Sequence, residues 1–173
     1  MATTTAPVGS ESPADGAGSM PLVVPVGLVL SVGAIHLLAT IDHVADSWLR
    51  GGFYALAAGS QLAAGAWMYR RPDDRRALLA AGITCAAVAL VWGISRTTGL
   101  PLGVDGGEVQ SVGVADGIAT FEELALVGTV VAILRRPQDA GHMAWLTNPS
   151  TLRIAYALMS SMLFVAALNG HGH

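Results

Sequence analysis

Lysine is absent from this chain, and charge of either sign is scarce: only 12% of its 173 residues are charged. A soluble domain carries about 25%, so the composition points to a lipid environment. The nine basic residues are all arginine and are outnumbered by twelve acids, for a net charge of -3. That balance offers no basic surface to nucleic acid. Cys85 is the single cysteine, which excludes an intrachain disulfide and a thiolate cluster. No G-x-S-x-G frame surrounds Ser95 or any other serine, so the nucleophile elbow of a hydrolase is missing. H-x-x-x-H metalloprotease spacing does not occur, and Gly106-Gly107 is not followed by the Lys-Ser or Lys-Thr of a phosphate loop. No Lys or Arg precedes the first apolar run, so residues 1–20 lack a signal-peptide n-region.

What remains is apolar. Hydrophobic residues make up 53% of the chain, and the mean hydropathy is +0.55. A helix needs about 20 mainly apolar residues to cross the hydrocarbon core. Five such runs are legible, at about 22–43, 53–69, 77–95, 117–134 and 151–168. The expected fold is therefore all-α, a polytopic bundle of five transmembrane helices over residues 21–169. Residues 1–20, rich in Ala, Thr, Ser, Gly and Pro, read as a disordered tail. Residues 170–173 read as a short His-containing tail in which His171 and His173 fray. Gly51-Gly52 is expected to break the chain before the second span, and Asp73 or Asp74 to cap the third. Asn148-Pro149 reads as the start of the fifth.

Arginine placement sets the orientation. Arg70, Arg71, Arg75, Arg76, Arg135, Arg136 and Arg153 fall on one side of a five-span arrangement, and only Arg50 and Arg96 on the other. The arginine-rich side is expected to be cytoplasmic. That puts the amino terminus inside, in a multi-pass protein of the cell membrane whose first partner is the bilayer. A homo-oligomer or a membrane partner stays open.

The stretch Ile35–His43 carries His36 and His43 seven residues apart, nearly two helical turns, so both rings share a face. Asp116 and Glu123 repeat that spacing on the fourth span. If spans one and four are neighbours, His43 lies level with Asp116 and His36 level with Glu123. The deeper pair then sits roughly 10 Å below the outer surface, with Gln61 of span two at similar depth. Ionisable groups at such a depth usually mark function or an internal partner. Imidazole and carboxylate together suit zinc, iron, manganese or nickel. His36, His43, Asp116 and Glu123 are therefore the candidate metal ligands, with Gln61, Arg96, Glu108 and Glu122 around them. No other cofactor is indicated; a haem between two histidines wants them on opposing helices, and here they share one.

Structural readings stand beside this one. His36 bonded to Glu123 or Gln61 would join helices without any ligand. Arg96 paired with Glu122 would do the same. Thr120-Phe121-Glu122-Glu123 matches a capping box, which would start the fourth span late and put Glu123 at the surface. Asp42 and Asp46 read as interfacial residues, Met159 and Met162 as packing, and Gly59, Ala63 and Gly65 as points of close helix approach.

Several stretches carry a resemblance. They are His36…Asp42-His43, Gly52-Phe53-Tyr54…Gln61, Trp92…Ser95-Arg96-Thr97-Thr98-Gly99-Leu100-Pro101-Leu102-Gly103, and Glu108…Val112-Gly113-Val114-Ala115-Asp116 with Glu122-Glu123. Over roughly residues 30–136 the chain resembles a group of small multi-pass bacterial membrane proteins with no established activity. That group tends to carry Glu where this chain has Asp42. The resemblance implies that these polar residues form one unit on the outer side. Three functions follow as expectations: binding or transport of a divalent metal, a membrane oxidoreductase or proton-transfer subunit, and a structural or accessory subunit. No catalytic set is legible, so the reading leans away from an enzyme.

Overall fold

The computed structural model describes residues 22–101 and 106–135, together with positions 153, 156, 157, 159–161, 164, 165 and 168. The expected tails at 1–20 and 170–173, the Asn148-Pro149 start and most of the fifth span lie outside the described residues. Among the described residues the secondary structure is entirely helical. Four helices have defined bounds: α1 Val23–His43, α2 Trp48–Arg70, α3 Arg75–Thr97 and α4 Val114–Arg135. The described positions between 153 and 168 are helical as well.

Each boundary has a local cause. Pro25 lies in the first turn of α1, where backbone N–H groups lack intrahelical partners and proline is tolerated. A three-residue turn then leads to Ser47, whose Oγ accepts from the Arg50 N–H at 3.3 Å and caps α2. Gly51-Gly52 does not break the chain as expected; both residues lie inside α2. Gly51 is needed for another reason. A Cβ there would sit 2.6 Å from the Val44 Cα, so the turn folds tightly onto α2 only over a glycine. At the far end Asp74 caps α3, accepting from the Arg76 N–H at 2.9 Å and from the Trp67 indole at 3.1 Å. Asp74 thus takes the capping role that sequence left shared with Asp73.

The helices run alternately up and down. α1 packs on α2 and α4, α3 on α2 and α4, and the α1–α3 diagonal is nearly open. Gly65 lets α2 meet α1 closely, since a Cβ would come within 2.7 Å of Leu30. Gly59 plays no such part: nothing lies within 4 Å of its Cβ position, and Ala63 is exposed. Met159 rests against Gly27 of α1, which fits its packing reading.

Outside and inside are inverted relative to a water-soluble bundle. Large apolar side chains such as Leu56, Ile83, Leu90, Phe121 and Leu124 point outward, while Gln61, Glu122 and Glu123 are buried. An exposed apolar belt of this extent needs a covering. Helices α1, α3 and α4 are long and apolar enough to cross a membrane. α2 has the length but falls short in apolarity, because Gly, Ser, Gln, Tyr and Arg dilute it. Three apolar helices fit an integral membrane protein.

Candidate functional site

All four helices contribute to one end of the bundle, where α1 ends, α2 begins, α3 ends and α4 begins. Because neighbours run in opposite directions, residues seven apart on each helix form a shallow and a deep layer. His43, Tyr54, Trp92 and Asp116 make the shallow layer; His36, Gln61, Cys85 and Glu123 make the deep one. The level match expected for α1 and α4 therefore extends to α2 and α3.

The deep layer is a connected network. Gln61, fully buried, lies 2.8 Å from His36 Nδ1 through its Oε1. Its Nε2 donates to Glu123 Oε1 at 2.8 Å and, more weakly, to Cys85 Sγ at 3.7 Å. The chemistry orders the protons. Oε1 faces His36, and an amide oxygen only accepts, so the Nδ1 must carry the hydrogen. In the neutral ring the lone pair is then on Nε2. Glu123 is buried inside α4, which starts at Val114 rather than after Thr120. The capping-box reading, with Glu123 at the surface, is thereby corrected: Thr120 is a buried mid-helix residue.

The shallow layer is more exposed. Arg96 forms an ion pair with Asp116 through Nη2, so its partner is Asp116 and not Glu122. Arg96 also donates from Nη1 to Ser95 Oγ at 3.5 Å, and its guanidinium carbon stands 5.8 Å from the centre of the Trp92 ring. The Tyr54 ring lies 5.8 Å from His36 and 5.3 Å from His43, centre to centre, stacked on the latter. Seven helical residues rise roughly 10.5 Å, so Tyr54 fills the gap between the two imidazoles. The α3–α4 loop closes over this layer: Gln110 N–H donates to Ser95 O at 3.0 Å, and Gly107 N–H to Leu100 O at 2.7 Å.

Between these groups is a cavity of about 950 Å³. His36, His43, Arg96, Glu108, Asp116 and Glu123, six of the eight residues singled out from sequence, line it. Gln61 lies beneath its floor. Glu122 does not line it: this carboxylate is buried toward Ser31 of α1, and neither group completes a hydrogen bond among the described residues. The cavity wall also includes Tyr54, Trp92, Ser95 and Thr120, whose roles sequence reasoning missed. The Tyr54/Gln61 and Cys85/Trp92 spacings of seven were a usable signal.

Among the described residues, no group of three or more His, Cys, Asp or Glu side chains is placed to hold a metal ion. His36 and His43 are kept apart by Tyr54, Asp116 is engaged by Arg96, and Glu123 by Gln61. The arrangement is instead suited to orienting His36 and to presenting polar groups of both signs to a guest. No family model, curated protein or solved structure matches the chain. Fold and site together define a class, a helical integral membrane protein with a polar cavity at one end of its bundle.

Proposed function

We propose that the chain is a five-span protein of the cell membrane, amino terminus inside, whose cavity faces outward and binds a small molecule. His36 Nε2 serves there as the hydrogen-bond and proton acceptor. The observation that carries this reading is the Gln61 bridge: one buried amide holds both His36 and Glu123 beside the cavity and leaves the Nε2 lone pair for a guest. Orientation rests on Arg70, Arg71, Arg75, Arg76 and Arg135 at the opposite end. The bridge also ties α1, α2 and α4 together, so the accessory-subunit reading shares this feature and differs only in requiring no guest.

Thiol labelling tests the outward cavity. Cys85 is buried and gives a silent background. In intact cells a membrane-impermeant maleimide is expected to label Asp46→Cys and Glu108→Cys at the cavity mouth, and Arg71→Cys only after the membrane is opened. The reverse pattern sinks the proposal.

A divalent metal at His36, His43, Asp116 and Glu123 is the second reading. It is favoured by His43 Nδ1, which is buried without a partner among the described residues. Occupancy would require Tyr54 to swing aside and Asp116 to leave Arg96. Metal analysis of the purified protein against the His36→Ala, His43→Ala double variant decides it; equal content in both removes the metal.

A further inference from the structure

The deep layer leaves two acceptors open to the cavity. His36 spends its Nδ1–H on Gln61, and Glu123 accepts from Gln61 through Oε1 only. His36 Nε2 and Glu123 Oε2 have no protein partner among the described residues, and neither atom is sealed from the cavity that both side chains line. The two residues are otherwise almost wholly enclosed, at 5% and 1% exposure. A bare imidazole nitrogen and a carboxylate oxygen accept hydrogen bonds and cannot donate them. The bridging amide cannot serve them either, since Gln61 Nε2 already gives its two hydrogens to Glu123 Oε1 and Cys85 Sγ. Buried acceptors are rarely left unmet in a native structure, so this pair calls for a donor from outside the protein.

The rest of the wall limits what bears those hydrogens. Arg96 is matched by Asp116. That sets Asp42, Asp46, Glu108 and Glu123 against Arg50, and the first three of these acids are exposed at the mouth. Such a mouth draws cations in and turns anions away. A divalent metal ion wants several protein ligands at once, and among the described residues no group of three His, Cys, Asp or Glu is placed to supply them. Leu49, Val88 and Val91 add apolar surface, and Phe53 and Tyr54 add aromatic rings, whose faces attract organic cations. The volume of about 950 Å³ is that of a drug-sized guest. We infer that the cavity takes a protonated amine with an apolar body, its N–H groups received by His36 Nε2 and Glu123 Oε2. This rests on the reading of the cavity as a binding site and names the class of its ligand; no covalent step is part of it.

A matched set of probes tests it. Adamantylamine, its trimethylammonium derivative and adamantane carboxylate share one apolar cage. The first carries charge and N–H donors at neutral pH, as a Lys side chain does; the second keeps the charge without a donor, and the third reverses the charge. The full chain in phosphatidylcholine nanodiscs is titrated with each, and ligand-dependent thermal stabilisation is read. The amine is expected to stabilise saturably, the trimethyl derivative to need about tenfold more, and the carboxylate to do nothing. Glu123→Gln keeps an acceptor for Gln61 but removes the charge, and is expected to raise the half-saturating amine concentration about tenfold or more. His36→Asn keeps a donor for Gln61 but removes Nε2, and is expected to raise it about fivefold. Glu122→Gln loses the same charge one residue away, outside the cavity, and is expected to change nothing. No saturable response to the amine, a response to the trimethyl derivative or the carboxylate as strong as to the amine, or wild-type half-saturation in both Glu123→Gln and His36→Asn each overturns the ligand class. Either variant alone carries the comparison if the other does not fold. Maleimide labelling fails separately: outside labelling without amine preference removes only the ligand class, and amine binding with the reverse labelling removes only the outward orientation.

Discussion

Replacing Gln61 by leucine is expected to destabilise the bundle by about 2–5 kcal/mol, the largest effect of any single change in the deep layer. The size does not come from the hydrogen bonds themselves, since an interhelical bond in a membrane protein averages only about 0.6 kcal/mol. It comes from what is left behind. His36 and Glu123 are both buried, and each would lose the partner that faces it. A buried polar group stripped of its partner costs about 1–3 kcal/mol, more when it is charged. The asymmetry gives a second expectation. Converting His36, Gln61 and Glu123 all to leucine removes the stranded groups along with the bridge, so the triple variant should unfold at a higher temperature than Gln61→Leu alone. Thermal unfolding in one detergent, followed by circular dichroism, checks both. A triple variant less stable than the single one would mean that the bridge is not what holds these helices.

Gly99→Val is expected to cost a further class of energy, about 2–5 kcal/mol from backbone strain and overpacking combined. Gly99 has φ of +74°, and a Cβ there would stand 2.6 Å from the Gly107 carbonyl carbon and oxygen. Those are backbone atoms and cannot rotate away. The segment carrying Gly107 and Glu108 would have to lift from the end of α3, opening the cavity mouth. The expected signature is a lower unfolding temperature with faster maleimide labelling of Glu108→Cys in the Gly99→Val background. Gly107→Ala is the contrast, because its Cβ position, though at φ of +87°, meets nothing within 4 Å; only the strain remains. Equal losses in the two variants would contradict the close approach.

Much of the architecture was legible because apolar length is a strong signal. The runs at 22–43, 77–95 and 117–134 lie within three residues of α1, α3 and α4 at every boundary. The second run was trimmed, since Gly51-Gly52 looks like a break when read locally. Its true role, admitting the Val44 backbone, depends on a contact that no local pattern shows. The pairing of His36 with the depth of Glu123 was also readable, as both residues announce themselves by charge. Tyr54, Cys85 and Trp92 repeat the same spacing but resemble packing residues, so three of the eight members of the two-layer pattern stayed hidden. The partner of Arg96 was misjudged for a geometric reason. At 3.6 residues per turn Asp116 and Glu123 share a face of α4, while Glu122 is turned about 100° from Glu123 and faces α1.

The tautomer of His36 tests the central claim most directly. Nitrogen-15 spectroscopy of histidine-labelled protein in bilayers, at a pH where the ring is neutral and with His36 assigned by its loss in His36→Asn, reports which nitrogen holds the hydrogen. The account predicts a hydrogen-bonded Nδ1–H and a bare Nε2, with that hydrogen-bond signature lost in Gln61→Leu. A neutral ring protonated at Nε2, or a spectrum that Gln61→Leu leaves unchanged, would contradict it.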